Sequence, residues 1–186
     1  MKKLLRAAAA IEAFTSLSAN ASPFDFSYIF GDNQVVTGTL SGDLSGSFIT
    51  NISDVHVYLN GVEFSGGPLF AAAWNTTTHD WDNSTQAVVS TNAALNNFIF
   101  ADTNVPTDFG ASNYFYFVND SASPGNQVFA NNLNTGSIAL DDVPNSSWTL
   151  AAAPVPLPAA LPLMISGLGL LGAASRRRRQ RLINQN

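Results

Sequence analysis

The sequence predicts an all-β protein: a single antiparallel β-sandwich or jelly-roll-like domain, flanked by an N-terminal signal peptide and a C-terminal membrane helix. Around ten short segments rich in β-branched and aromatic residues alternate with runs of Asn, Ser, Thr, Gly and Asp, a pattern typical of all-β domains. All 8 Lys and Arg residues lie at the two ends of the chain. Each basic end flanks an apolar stretch, and basic residues beside membrane segments tend to stay cytoplasmic.

Residues 1–21 have the organisation of a secretory signal peptide. A basic region precedes the Ala-rich stretch from Ala7 to Leu17, and Ala19 and Ala21 form the small-x-small pattern that signal peptidase cleaves. Glu12 weakens the apolar stretch, and a cytosolic N-terminal helix is the alternative. The basic residues are Lys2, Lys3 and Arg6.

The predicted mature domain, residues 22–153, carries no fixed positive charge. It contains 12 of the 13 acidic residues and no Lys or Arg, so its net charge is −12 when both histidines are neutral. Self-repulsion favours a soluble chain, and nucleic acid and anionic lipid are not expected as ligands of this domain. Cysteine is absent, so no disulfide supports the fold.

The first strand is predicted at 24–30, where aromatic residues alternate with other residues, as in a strand with one buried face. Gly31-Asp32-Asn33 turns the chain into a second strand at 34–40. The related segments Leu40-Ser41-Gly42 and Leu44-Ser45-Gly46 have the composition of turns. The alternating aromatic residues are Phe24, Phe26, Tyr28 and Phe30.

A β-hairpin is predicted around Asn60-Gly61, because this dipeptide between two β-rich runs is a strong hairpin signal. A two-residue turn pairs Tyr58 with Glu63 and places His56 diagonal to Glu63 on one face. These three polar groups suit acid–base chemistry or sugar binding, and an ordinary solvated face is the alternative. The apolar residues of the opposite face are Val55, Val57 and Leu59.

The later strands are predicted to be short, with polar turns between them. Two stacked sheets of such strands bury an adequate core for one domain. Their ranges are 69–74, 86–90, 97–101, 114–118, 127–130, 137–140 and 148–152.

The residue types of common catalytic sites are scarce. There is no cysteine, the only histidines are His56 and His79, and neither H-E-x-x-H nor G-x-S-x-G occurs. Residues 167–172 match G-x-G-x-x-G but follow no predicted strand and lie in an apolar segment, so no dinucleotide is expected. We predict no catalytic residues and no cofactor. A small glycosidase-like enzyme is a third hypothesis, because two carboxylates about 5 to 9.5 Å apart would suffice.

Asp80 and Asp82 are candidate calcium ligands, since they offer oxygen atoms at alternate positions. Asp141 and Asp142 are further candidates for the same ion. The spacing is not that of an EF-hand, which needs Gly and Glu at the positions of Thr85 and Thr91, and a solvated turn is the alternative. Exposed tryptophans here would favour sugar binding, whereas buried ones would favour a structural role. The tryptophans are Trp74, Trp81 and Trp148.

Residues 154–186 combine a proline-rich motif, an apolar helix and a basic cluster. The prolines hold the motif at 155–159 extended, and the membrane helix is predicted at 159–175. It is short beside the roughly 20 residues of a bilayer span, and snorkelling arginines would extend its reach. The basic cluster, 176–181, contains Arg176, Arg177, Arg178, Arg179 and Arg181.

This tail resembles the VPLPA variant of the PEP-CTERM family of sorting signals. The resemblance implies recognition by an exosortase, a membrane-embedded cysteine transpeptidase of Gram-negative bacteria, with cleavage at or near the motif. Leu157 stands where the family usually has glutamate. The aromatic strand, GTLSG segment and NG hairpin are also similar to the N-terminal regions of these proteins. A plain C-terminal anchor is the alternative. The motif residues are Val155, Pro156, Leu157, Pro158 and Ala159.

We therefore expect an exported, non-enzymatic protein with a structural or interaction role. Its expected partners are signal peptidase, an exosortase and, before processing, the membrane. It would pass through the inner membrane to the cell surface or extracellular matrix of a Gram-negative bacterium. The alternative is a carbohydrate-binding module, with or without calcium, that recognises extracellular polysaccharide.

Overall fold

The computed structural model describes residues 21–64, 67–83, 86–103, 111–120 and 125–154. In these ranges the chain forms twelve β-strands and one 3-10 helix at Ala93–Leu95, which confirms the all-β prediction. The strands are β1 (Ser22–Ile29), β2 (Val35–Ser45), β3 (Phe48–Leu59), β4 (Val62–Glu63), β5 (Phe70–Asn75), β6 (Asp80–Asp82), β7 (Val89–Ser90), β8 (Phe98–Ala101), β9 (Tyr114–Asn119), β10 (Asn126–Asn132), β11 (Ser137–Asp141) and β12 (Thr149–Ala152).

The strands form two antiparallel sheets. The first has the order β12-β1-β2-β3-β4, with β7 also paired to β3, and the second has the order β11-β10-β9-β8-β5-β6. Most neighbours are consecutive along the chain, so both sheets are largely meanders. The expected sandwich is confirmed, and the order of the described strands differs from the two Greek keys of a jelly roll.

Aromatic side chains join the two sheets. The ring centroid of Phe26 on β1 lies 6.1 Å from that of Phe115 on β9, and Tyr28 meets Phe117 edge-on at 5.2 Å. Trp148 packs 5.0 Å from Phe117. Such pairs contribute about 0.5–1.5 kcal/mol each beyond the area they bury. The predicted aromatic face of the first strand is therefore the centre of the core.

Phe26 also covers Gly38, its direct partner on β2. A Cβ atom at residue 38 would lie 2.2 Å from the Phe26 ring and 2.4 Å from the carbonyl oxygen of His56. Both separations are far below a normal contact, so only glycine fits beneath this ring. An aromatic ring laid over a paired glycine fills the space that the missing side chain leaves.

The second strand is longer than predicted, because the chain does not turn at Leu40-Ser41-Gly42. The strand continues to Ser45, and the turn falls at Gly46-Ser47. Gly42 faces inward, where a Cβ atom would lie 2.4 Å from Ile49. This glycine makes room for a neighbour and does not reverse the chain, so the prediction of a turn there was wrong.

Two β-bulges in β3 keep the long β2–β3 pair in register with the core. On either side of Ser53, two residues of β3 oppose one residue of β2. Asn51 and Asp54 have φ angles of 53° and 49° in these bulges. Asn and Asp tolerate this left-handed conformation better than other non-glycine residues, which explains why they occur here.

The predicted Asn60-Gly61 hairpin is confirmed. Asn60 and Gly61 have φ angles of 52° and 81°, as a type I′ turn requires. Tyr58 pairs with Glu63 across the turn. The later predicted ranges each contain a strand.

A polar clasp closes one end of the sandwich. The Asp141 carboxylate at the end of β11 accepts hydrogen bonds from the Tyr28 hydroxyl at 2.7 Å and the Gly31 amide at 3.0 Å. The Asn145 side chain donates to the same carboxylate at 2.9 Å, and its backbone N–H donates to the Tyr28 hydroxyl at 3.0 Å. The edge of the second sheet is thereby tied to the first sheet.

We expect Gly38→Ala to lower the free energy of unfolding by about 3 kcal/mol or more, because overpacking beneath Phe26 forces the backbone to move. Urea denaturation measures this change. Thr39→Ala, on the exposed face of the same strand, is the control and should change stability by less than about 1 kcal/mol. Adding Phe26→Leu to Gly38→Ala should restore only part of the loss, since the His56 carbonyl remains. A Gly38→Ala protein as stable as the control would contradict this account.

Alkaline unfolding should be coupled to tyrosine ionisation. Burial raises the pKa of Tyr114 to about 12, and burial likewise raises the pKa of Tyr28 and of Tyr116 above the ordinary value. The folded state therefore favours the neutral phenols. This stabilisation is complete below about pH 10, where free tyrosine ionises, and it is lost as pH rises through the folded-state pKa.

The test is a pH titration followed by phenolate absorbance and circular dichroism. In the native chain most phenolate should appear together with loss of the β signal, and in strong urea it should appear near pH 10. Tyr114→Phe should move unfolding to higher pH. Full ionisation of all tyrosines near pH 10 in the folded chain would contradict the prediction.

Candidate functional site

The outer face of the first sheet is polar across its width. Alternate side chains of its strands fill the core, so the residues between them form one continuous outer surface. We call this surface the polar face. One row across it, from β12 to β4, is Thr149, Ser27, Thr37, Tyr58 and Glu63. The next row is Ala151, Asp25, Thr39 and His56.

An open groove of about 410 Å³ lies on the polar face. The hydroxyl groups of Ser27 and Thr149 form a hydrogen bond with each other, with 2.8 Å between their oxygen atoms. The carboxylate of Asp25 makes no hydrogen bond with any described residue, and neither do the hydroxyls of Thr37, Thr39 and Tyr58. The groove therefore presents several polar groups that are free to bind a ligand. Its polar lining residues are Asp25, Ser27, Thr37, Thr39, Tyr58 and Thr149.

The His56–Glu63 pair borders this groove. The Nδ1 atom of His56 lies 2.9 Å from Oε1 of Glu63, and the two side chains are 33% and 35% exposed. This confirms the diagonal placement predicted from the Asn60-Gly61 turn. A half-exposed pair of this kind contributes only about 0–1 kcal/mol to stability.

The pair lacks the third member of a nucleophilic site. Glu63 can orient the His56 ring, which leaves Nε2 for proton transfer. The hydroxyl opposite His56, on Thr39, makes no hydrogen bond to it. The geometry therefore supports binding at the polar face better than covalent catalysis.

Asp25 and Glu63 on the polar face do not have the carboxylate spacing of a glycosidase. Asp25 lies on β1 and Glu63 on β4, three strands apart. Three interstrand spacings amount to about 14 Å, whereas paired glycosidase carboxylates lie about 5 to 9.5 Å apart. These two acids do not support the glycosidase hypothesis.

The calcium candidates Asp80 and Asp82 lie on a strand, not in a loop or solvated turn. They flank Trp81 in β6, which pairs with β5. Trp81 is 6% exposed and packs 5.1 Å from Trp74, and this packing draws the segment into the sheet.

Asp141, proposed above as a further calcium ligand, cannot join Asp80 and Asp82. It lies on β11, at the opposite edge of the six-stranded sheet from β6, about 24 Å away. It is also engaged in the polar clasp. Across the ranges that the structure describes, no three His, Cys, Asp or Glu side chains are grouped to hold a metal ion.

The tryptophans serve packing. Trp81 and Trp148 are each 6% exposed, and the indole N–H of Trp148 donates to the Ser90 carbonyl at 2.7 Å. Trp74 is half-buried, and its indole N–H donates to Asp120 at 2.9 Å. By the criterion set from the sequence, their burial favours a structural role over sugar stacking on tryptophan.

Sequence reasoning missed a buried carboxylate at Asp120, which is 5% exposed. Its Oδ2 atom accepts from Trp74, and Nδ1 of His79 lies 3.3 Å from the same oxygen. These partners are 46 and 41 residues away along the chain. No local pattern brings them together, so only the tertiary fold reveals this site.

The residues predicted for export and sorting lie almost entirely outside the described residues. Ala19, the motif at 155–159, the helix at 159–175 and the basic cluster at 176–181 all fall there. Ala21 is described, and it is exposed directly before β1. Within the described ranges, no helix has the length and apolar character needed to cross a membrane.

No protein-family model, curated protein or solved structure matches this chain. Its function is therefore inferred from its own residues.

Trp74→Phe should lower the free energy of unfolding by about 1–3 kcal/mol, because the buried Asp120 carboxylate loses a donor while the aromatic packing is largely kept. Urea denaturation at pH 7 measures the loss. The control is the same substitution in an Asp120→Asn background, where its cost in unfolding free energy should be smaller. An equal cost in both backgrounds would mean that the charge of Asp120 does not strengthen this hydrogen bond.

Proposed function

We propose that this chain is an exported protein of the cell surface or extracellular matrix, sorted by an exosortase, with a structural or interaction role and no catalysis. In this proposal signal peptidase cuts after Ala21. The tail, residues 154–186, then holds an inner-membrane intermediate of a Gram-negative bacterium until the exosortase acts at the VPLPA motif.

The observation that best supports this proposal is the arrangement of the two ends of the domain. Ala152 on β12 pairs with Phe24 on β1, and the N–H of Ala153 donates to the Pro23 carbonyl at 2.9 Å. The ladder thus begins just after the signal-peptide cut and ends just before the sorting motif. Both cuts would leave every ladder hydrogen bond intact, as a released domain requires.

The charge and chemistry of the domain agree with a displayed, non-catalytic role. No fixed cation accompanies its 12 acidic residues, so copies repel each other and remain soluble. The polar face offers a binding surface in which no described hydroxyl is hydrogen-bonded to His56.

A carbohydrate-binding module is the second candidate function, and the groove on the polar face favours it. Three of its hydroxyl-bearing residues, Thr37, Thr39 and Tyr58, make no side-chain hydrogen bond with a described residue. The separation of Asp80 and Asp82 from Asp141 gives no support to calcium assistance through those residues.

The test of sorting is the intact mass of the protein from culture supernatant and from membranes, in cells that contain an exosortase. The released species should begin at Ser22 and end between Val155 and Ala159, with or without an added group. A double variant, Pro156→Ala with Pro158→Ala, should remain in the membrane with its arginines.

Pro154→Ala is the matched control, because it removes a proline just outside the motif. It should be processed like the unchanged chain. Release of a species that keeps Arg176 to Arg181, or normal processing of the double variant, would overturn the sorting proposal.

A further inference from the structure

We propose that the groove on the polar face binds an amino-sugar polysaccharide, with Asp25 receiving an ammonium group and Thr37, Thr39 and Tyr58 binding sugar hydroxyls. This inference deepens the proposed function. It rests on that function only for the place, the cell surface or matrix, where the chain would meet such a polymer. The binding itself depends on the groove alone.

The carboxylate of Asp25 is free, unlike those that the fold itself engages. Some carboxylates elsewhere accept hydrogen bonds from neutral donors: Asp141 from Tyr28 and Gly31, and Asp120 from Trp74. Asp54 and Asp142 are exposed without such a partner among the described residues, but neither lines the groove. Asp25 is exposed and has no hydrogen-bond partner among the described residues. A ligand in the groove therefore meets a carboxylate that need not break an existing bond.

The spacing of the free groups in the groove matches the size of a sugar ring. Asp25 pairs with Thr39 across one row, and Thr37 pairs with Tyr58 across the next. Partners across a strand pair are about 5 Å apart, and successive rows on one face are about 7 Å apart. The free groups thus form a flat array at the scale of one or two sugar rings. Tyr58 adds an aromatic ring, which sugar rings and cations both contact favourably.

The charge of the domain selects the kind of sugar. All fixed charges in residues 22–153 are negative. A uronate or phosphate ligand would be repelled and would find no Lys or Arg, whereas an ammonium ligand is attracted over a long range. On the polar face only His56 can become positive, and it already faces Glu63.

The experiment is calorimetric titration of the full chain, purified in non-ionic detergent, with a β-1,4-linked glucosamine hexamer. Saturable binding should weaken about tenfold in Asp25→Asn, since a charge-assisted hydrogen bond is lost. Asp142→Asn is the matched control: it removes the same charge from an exposed loop residue outside the groove. It should change affinity less than about twofold. Thr39→Val tests the hydroxyl and should also weaken binding.

Two further ligands complete the test. The N-acetylated hexamer lacks the ammonium groups and should bind at least about tenfold more weakly. A lysine hexamer carries comparable charge without sugar hydroxyls, and its affinity should not depend on Thr39.

The proposal is overturned if the glucosamine hexamer shows no saturable binding, or if Asp25→Asn and Asp142→Asn weaken its binding equally. It is also overturned if the acetylated hexamer binds with equal affinity, or if Thr39→Val weakens binding of the lysine hexamer as much as binding of the glucosamine hexamer. Thermal melts of each variant must match the unchanged chain. Because binding is measured on the purified chain, its failure is distinct from a failure of sorting, which intact mass reports.

Discussion

The absence of any fixed cation between residues 22 and 153 constrains the whole structure, because a carboxylate that bonds within this domain must use a neutral donor or a histidine. The Asp32 carboxylate accepts from the side chain and backbone of Gln34, and these bonds hold its pKa below the ordinary value. Asp43 accepts from Asn51, and Asp102 accepts from Asn113. The many asparagines are therefore part of the electrostatics of the domain and not only turn residues.

Aromatic packing takes the place that ion pairs and disulfides hold in many small domains. The inner faces of both sheets meet through the Phe26–Phe115 and Tyr28–Phe117 contacts. The second sheet carries another apolar cluster on its outer face, which includes Tyr114, Tyr116 and Trp81. Buried apolar area, at about 25 cal/mol per Å², is thus the main source of stability in a domain without cross-links.

The polar face carries polar side chains that have no hydrogen-bond partner within the described part of the chain. The carboxylates of the polar clasp and of Asp120 are hydrogen-bonded within the domain, whereas Asp25, Thr37 and Thr39 face outward. The two sheets therefore differ in their outer faces: the outer face of the second sheet carries an apolar cluster, whereas that of the first sheet carries the groove. Both ends of the domain meet on the β1–β12 pair, one edge of that same sheet.

The sequence by itself determined the features that depend on short-range pattern. The alternation of β1, the type I′ hairpin and the His56–Glu63 pair follow from periodicity and turn chemistry within a few residues. The tail motif is likewise a linear feature of the chain. Only the tertiary structure decided that Asp80–Asp82 is a strand, that Gly42 makes room for Ile49 and that Asp141 bonds Tyr28, 113 residues away. The physical reason is that these outcomes depend on which distant strands become neighbours, and no local propensity records that choice.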